Sequence, residues 1–109
     1  MRLVLSLLFF LSFINYTRAQ NWNPPVEVLD TLGSGGRIGT WVKQLIVNGN
    51  PALAFYNETH TRLEYVRALD PQGISWGNIV TVDNSGDVGE HLSFEIVDGH
   101  PAIAYNDFF

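Results

Sequence analysis

Four groups of residues in this chain have types and spacing that could do chemistry. The segment Asp83-Asn-Ser-Gly-Asp-Val-Gly-Glu90 gathers three carboxylates in a glycine-containing loop, the hard oxygen ligands that a calcium ion selects. Glu64 and Tyr65 are neighbours, a carboxylate beside a phenol of the kind that pairs in nucleophilic catalysis. Trp22, Trp41 and Trp76 with Tyr56, Tyr65 and Tyr105 are what a carbohydrate site recruits, because the C–H faces of a sugar stack on aromatic rings. His60, His91 and His100 are the remaining candidates, but no two stand at ligand spacing on one strand face with a third ligand near.

The elements that carry these residues come in duplicate. Val47-Asn-Gly-Asn-Pro-Ala-Leu-Ala-Phe55 and Val97-Asp-Gly-His-Pro-Ala-Ile-Ala-Tyr105 are the same phrase at an offset of 50 positions. A period of about 40–50 residues, built from short apolar runs and Gly/Pro turns, is the pattern of propeller blades or stacked arrays. Alternation places strands at Trp41–Val47, Ala52–Tyr56, Leu63–Ala68 and Ile79–Val82, then at His91–Val97 and Pro101–Tyr105. Asn48-Gly-Asn-Pro51, Tyr56–Thr61 and Asp70-Pro-Gln-Gly-Ile-Ser75 supply the turns between them. Four antiparallel strands in such a span are the content of one propeller blade. Val26–Leu29 before Asp30 echoes Ile79–Val82 before Asp83, so it reads as an outer strand whose three companions are missing. The expected fold is all-β, an incomplete propeller: residues 22–38 an outer strand and loop, 39–83 a full blade, 84–109 a partial second blade.

The repeat also sorts the chemistry. Neighbours on one strand point to opposite faces, so Glu64 and Tyr65 do not cooperate. Asp87 corresponds to Arg37 in the first unit, and a metal demanded by the repeat would not survive that exchange. The loop therefore reads as a solvated connection, and neither a metal nor another cofactor is expected. Trp22 and Trp76 occupy matching register positions and read as core anchors. Trp41 corresponds to His91, so the repeat does not require it. Trp41 is the one candidate ligand-binding residue. Asn57-Glu-Thr59 is an N-glycosylation sequon in an expected exposed loop, which makes Asn57 a candidate glycan acceptor. A second sequon, Asn15-Tyr-Thr17, would leave with the leader.

That leader is Met1-Arg2 followed by the apolar run Leu3–Ile14 and small residues at Thr17 and Ala19. The run falls short of the roughly 20 residues that cross a bilayer core of about 30 Å, and it reads as a secretory signal peptide, residues 1–19, cleaved after Ala19. Residues 20–109 then form the repeat segment, secreted and without a membrane span. They carry four cations (Arg37, Lys43, Arg62 and Arg67) against eleven acids, a net charge of −7. Such a field repels nucleic acid and anionic membrane surfaces alike. There is no cysteine, so stability must come from sheet packing rather than from disulfides.

Gly49-Asn-Pro-Ala-Leu-Ala-Phe-Tyr-Asn57, Leu63-Glu-Tyr-Val-Arg-Ala68 and Asp70-x-x-Gly73-x-x-Trp76 together resemble the sialidase-type (BNR, or Asp-box) repeats of secreted β-propeller proteins, over residues 22–107. The Asp-box of that class reads roughly Ser-x-Asp-x-Gly-x-Thr-Trp. Gly73 and Trp76 keep its spacing, while Asp70 sits one residue early and Pro71 takes the aspartate position. The resemblance implies a propeller whose blades serve enzymes, lectins and adhesion modules alike. A sialidase would further need an arginine cluster, a tyrosine nucleophile paired with a carboxylate, and an acid/base aspartate, drawn from several blades. Barely two blades with four cations do not supply them, so the segment reads as non-catalytic. Its expected function is extracellular binding or scaffolding, with an extracellular ligand, carbohydrate among the candidates, and with further blades or like chains as partners. Two alternatives stand beside it. One is a short lectin-like chain that oligomerises into a complete carbohydrate-binding propeller; the other is the N-terminal portion of a sialidase-like glycosidase whose catalytic residues lie beyond Phe109. With its second blade unfinished, the sequence reads as the N-terminal piece of a longer protein.

Overall fold

A computed structural model describes residues 24–28 and 38–108. The expected signal peptide, Trp22, Arg37 and most of the loop before β1 lie outside the described residues. Among those described there is no helix, and six strands follow in chain order: β1 (Ile38–Val47), β2 (Asn50–Asn57), β3 (Arg62–Arg67), β4 (Val80–Asp83), β5 (Val88–Val97) and β6 (His100–Asp107). They form two antiparallel sheets, a four-stranded one in the order β1-β2-β3-β4 and a two-stranded one of β5 and β6.

The duplication in sequence is a duplication in backbone. Strands β1 and β2 become β5 and β6 on adding 50 to every residue number. The two hairpins turn on Asn48-Gly49 and Asp98-Gly99, with left-handed φ of 47° and 81° in the first and 51° and 76° in the second. Positive φ at both central residues fits the right-handed twist of the flanking strands, and Asn-Gly and Asp-Gly bear it at little cost. The irregularities repeat too. Ile38 pairs with Asn57, Thr40 with Tyr56 and Lys43 with Ala54, so β1 carries two more residues than the stretch of β2 it faces. Val88, Glu90 and Ser93 face Asp107, Asn106 and Ala104 with the same two extra residues. These bulges explain why β1 and β5 begin three residues earlier than alternation indicates, since extra residues break the period of two.

The core lies between the sheets. Strand β5 packs across β1, β2 and β3, and Leu92 and Phe94 meet Val47, Ala52, Ala54 and Leu63 in one buried cluster, flanked by Leu45, Tyr65, Ile103 and Tyr105. Burial of each large apolar side chain contributes about 1.5–3 kcal/mol, and the alanines of β2 let β5 approach closely. Tyr65 meets Phe94 edge-on at 6.0 Å, the geometry that the ring quadrupoles favour. Phe55 and Val66, on the opposite face, are also fully buried, which makes β2 and β3 interior strands.

Two local expectations change. Residues 24–28 carry no strand, so the outer strand read at Val26–Leu29 is absent over its described part. Pro24 and Pro25 have no N–H to give to a ladder, and none of the six strands pairs with this segment. Asn57 is the last residue of β2 rather than part of an exposed loop, and it is 1% exposed.

Candidate functional site

The bulges place Trp41 and His91 at equivalent points, both in the left-handed region with φ of 54° and 50°. A non-glycine residue pays about 1 kcal/mol or more to sit there. That both units hold a bulky ring in this conformation makes the bulge a property of the repeat, one that re-aims the side chain out of the pleat. The two rings meet: their centroids are 4.0 Å apart with the planes tilted by 38°. Trp41 remains 45% exposed, and Glu90 Oε2 lies 3.9 Å from His91 Nδ1. A half-exposed indole, an imidazole and a carboxylate side by side can contact a sugar ring and accept or donate hydrogen bonds at its edge. Sequence reasoning set Trp41 apart because His91 replaces it in the second unit. It missed that the bulge brings the two together across the inter-sheet boundary.

The other candidates serve the frame. The Asp83–Glu90 loop is tied down at both ends by phenols, with Tyr105 Oη donating to Asp83 Oδ2 and Tyr56 Oη to Asp87 Oδ1, each at 2.5 Å. Burial and the bond to Asp87 push the Tyr56 phenol up to about 12, so it stays a donor. Tyr105, first through its bond to Asp83, is also raised. Among the described residues no three His, Cys, Asp or Glu side chains are grouped to hold a metal. Glu64 and Tyr65 face opposite ways: Tyr65 joins the core between the sheets, while Glu64, 1% exposed, accepts from Arg62 Nε at 2.5 Å and from Asn57 Nδ2 at 3.1 Å. Asn57 Oδ1 in turn accepts from the His60 backbone N–H at 3.1 Å. A glycan attaches through Asn57 Nδ2, so the packing described here is that of the unglycosylated side chain. Sequence reasoning missed this buried polar cluster because three polar residues near a turn read as solvent-facing.

The turn from Asp70 to Trp76 is organised by one carboxylate. Asp70 accepts from the backbone N–H groups of Gln72 at 2.9 Å, Ile74 at 3.1 Å and Ser75 at 2.7 Å, while Trp76 Nε1 donates to the Gly73 carbonyl at 2.9 Å. Trp76 is half-buried, pairs with Ala68 in an isolated bridge and stands outside the buried cluster between the sheets. The Ser75 and Ile74 N–H groups hold the Asp70 carboxyl below its ordinary value of 3.8, and the Tyr105 hydroxyl does the same for Asp83. A depressed folded-state value stabilises the fold above the ordinary carboxylate range and is lost as pH falls through it. The melting temperature should therefore decline as pH drops beneath 3.8, and Asp70→Asn should make that decline shallower. Melts followed by circular dichroism check this; a parallel decline in the variant would show that Asp70 plays no part.

Compared with known proteins, the chain matches no family model, no curated protein and no solved structure. No helix among the described residues is long and apolar enough to cross a membrane. What sequence and geometry define together is a class: an all-β chain of antiparallel sheets built from a unit of 50 residues.

Proposed function

We propose that this chain is a secreted, non-catalytic β-propeller repeat segment that binds or scaffolds outside the cell, with Trp41 contacting the ligand. The observation that carries this reading is the pairing of Trp41 with His91. Equivalent bulge positions of successive units converge on one place, as the innermost residues of neighbouring blades converge on a propeller axis, and propeller ligands bind where such positions meet. The turn that Asp70 gathers supports the likeness to Asp-box repeats, since its carboxylate organises the backbone between β3 and β4 from one residue earlier than the box's own. The leader at residues 1–19 and the charge of the remainder support an extracellular setting.

A glycan is the ligand class that a half-exposed indole favours. Trp41→Ala should weaken retention on a glycan surface by about twofold to tenfold, the loss expected of one stacked aromatic, with the circular dichroism spectrum and melting temperature close to those of the parent. Unchanged retention, or a variant that no longer folds and is not secreted, would make Trp41 a structural residue and remove the reading's basis.

A further inference from the structure

We propose that folding closes the sequon at Asn57: the native chain carries Asn57 as a free amide, and a glycan placed there keeps the end of the β2–β3 hairpin from packing. The inference rests on the secretory reading above and adds the fate of this side chain to it. Asn57-Glu-Thr59 is an acceptor sequence for N-glycosylation, and Glu58 and Thr59 are exposed in the turn after β2. Asn57 itself is 1% exposed, and so is Glu64. Asn57 Nδ2 donates to Glu64 Oε2 at 3.1 Å, while Oδ1 accepts from the His60 backbone N–H at 3.1 Å with His60 Nδ1 3.3 Å away. Both ends of the amide are engaged inside the fold.

The transfer reaction needs that amide loose. Asn57 Nδ2 attacks the anomeric carbon of a sugar carried on a lipid pyrophosphate. The new N–C bond forms as the C–O bond to the pyrophosphate breaks; the pyrophosphate leaves with the electron pair, and Nδ2 gives up one proton. The product is a secondary amide, for which the trans form is strongly favoured. Trans sets the sugar beside Oδ1, the side on which the His60 backbone meets it, and a side chain 1% exposed leaves no room for a hexose. The modified Asn57 must therefore leave its place. Glu64 then keeps Arg62 Nε alone, and the His60 turn loses its acceptor. The same turn holds the Thr61 carbonyl that accepts from the Val88 N–H at 3.3 Å, so the displacement reaches the join between the sheets. A buried carboxylate left short of a donor lowers the folded share of glycosylated chain by about tenfold to a hundredfold.

Expression of the full chain in a mammalian secretory line tests this, read by intact mass and peptide mapping before and after enzymatic removal of N-glycans. Gly86→Thr is the companion variant. It creates a second sequon at Asn84, which is exposed, and Gly86 lacks the positive φ that would bar a side chain. The expected parent is secreted, protease-resistant and unmodified at Asn57. The expected Gly86→Thr chain carries its glycan at Asn84, with occupancy of Asn57 in the protease-resistant fraction lower by at least about tenfold. Thr59→Ala, an exposed substitution that abolishes the sequon, should be secreted at least as well as the parent. A secreted chain with a glycan on Asn57 and the melting temperature of Thr59→Ala would overturn the proposal, as would equal occupancy of Asn57 and Asn84 in the protease-resistant fraction. A parent that stays in the cytosol with residues 1–19 attached would overturn the secretory reading alone, and the same chain behind a host signal sequence still reads the state of Asn57.

Discussion

Replacing Gly89 by alanine should cost the fold on the order of 4 kcal/mol, close to the whole stability of a small domain that has no disulfide. Two separate penalties meet at this residue. Its φ of +113° belongs to a region that L side chains rarely enter, and strain of that kind costs about 1–3 kcal/mol. A Cβ there would stand 2.9 Å from Leu63 Cβ, 3.0 Å from Leu63 Cα and 3.2 Å from Leu63 N. Two of those atoms are backbone of a buried strand, so the overlap is relieved only by pushing β5 off β3, at a further cost of about 1–3 kcal/mol. The repeat supplies the control. Gly39 is the equivalent residue, with φ of +99°, and a Cβ there meets only Val42 Cγ2 at 3.7 Å. Gly39→Ala should therefore show the strain without the clash, and the difference between the two denaturation midpoints measures the clash by itself. Equal midpoints would mean that β5 does not sit against Leu63.

That difference matters because the start of β5 is where the two sheets are joined. The Val88 N–H donates to the Thr61 carbonyl at 3.3 Å, beside the bond from the Tyr56 hydroxyl to Asp87. The bulge requires a glycine for conformation in both units. In the second unit the same glycine also sets how closely one sheet can approach the other.

The strands were legible in the sequence because alternation and turn chemistry agree. Asn48-Gly49 and Asp98-Gly99 mark the hairpins, and the expected strand limits lie within three residues of the observed ones. What alternation could not express is a strand with extra residues, so Gly39, Trp41, Gly89 and His91 looked like loop or strand edge. The same blindness hid the meeting of Trp41 and His91, since a bulge decides where a side chain aims and spacing alone does not. Asp70 shows the converse. Measured against the Asp-box pattern it is misplaced, yet the reach of its carboxylate to residues two, four and five positions onward lets it organise the turn from there. The outer strand at Val26–Leu29 was a reading of local pattern alone, and over residues 24–28 the two prolines that open the segment give no N–H to a ladder.

The buried polar cluster gives the second large effect. Arg62→Ala should destabilise the chain by about 3 kcal/mol, the lower end of the cost of leaving a buried charge without its partner. The lower end applies because Arg62 keeps 32% of its side chain exposed and water can partly replace it, while Glu64 keeps 1%. With Arg62 gone, Glu64 retains the amide of Asn57, and one amide does not neutralise a carboxylate in an apolar setting. The sign of the coupling is diagnostic. Glu64→Gln removes the charge and keeps the shape, so the double variant Arg62→Ala with Glu64→Gln should be more stable than Arg62→Ala alone. Urea denaturation of the four chains in this cycle gives the coupling directly. If Arg62→Ala falls within about 0.5 kcal/mol of the parent, as surface substitutions do, then Glu64 is solvated and the polar cluster contributes nothing to holding the β2–β3 hairpin. If the double variant regains stability, the pair is held for what it does to the β2–β3 hairpin: it fixes Asn57 at the end of β2 and, through it, the turn that leads to His60.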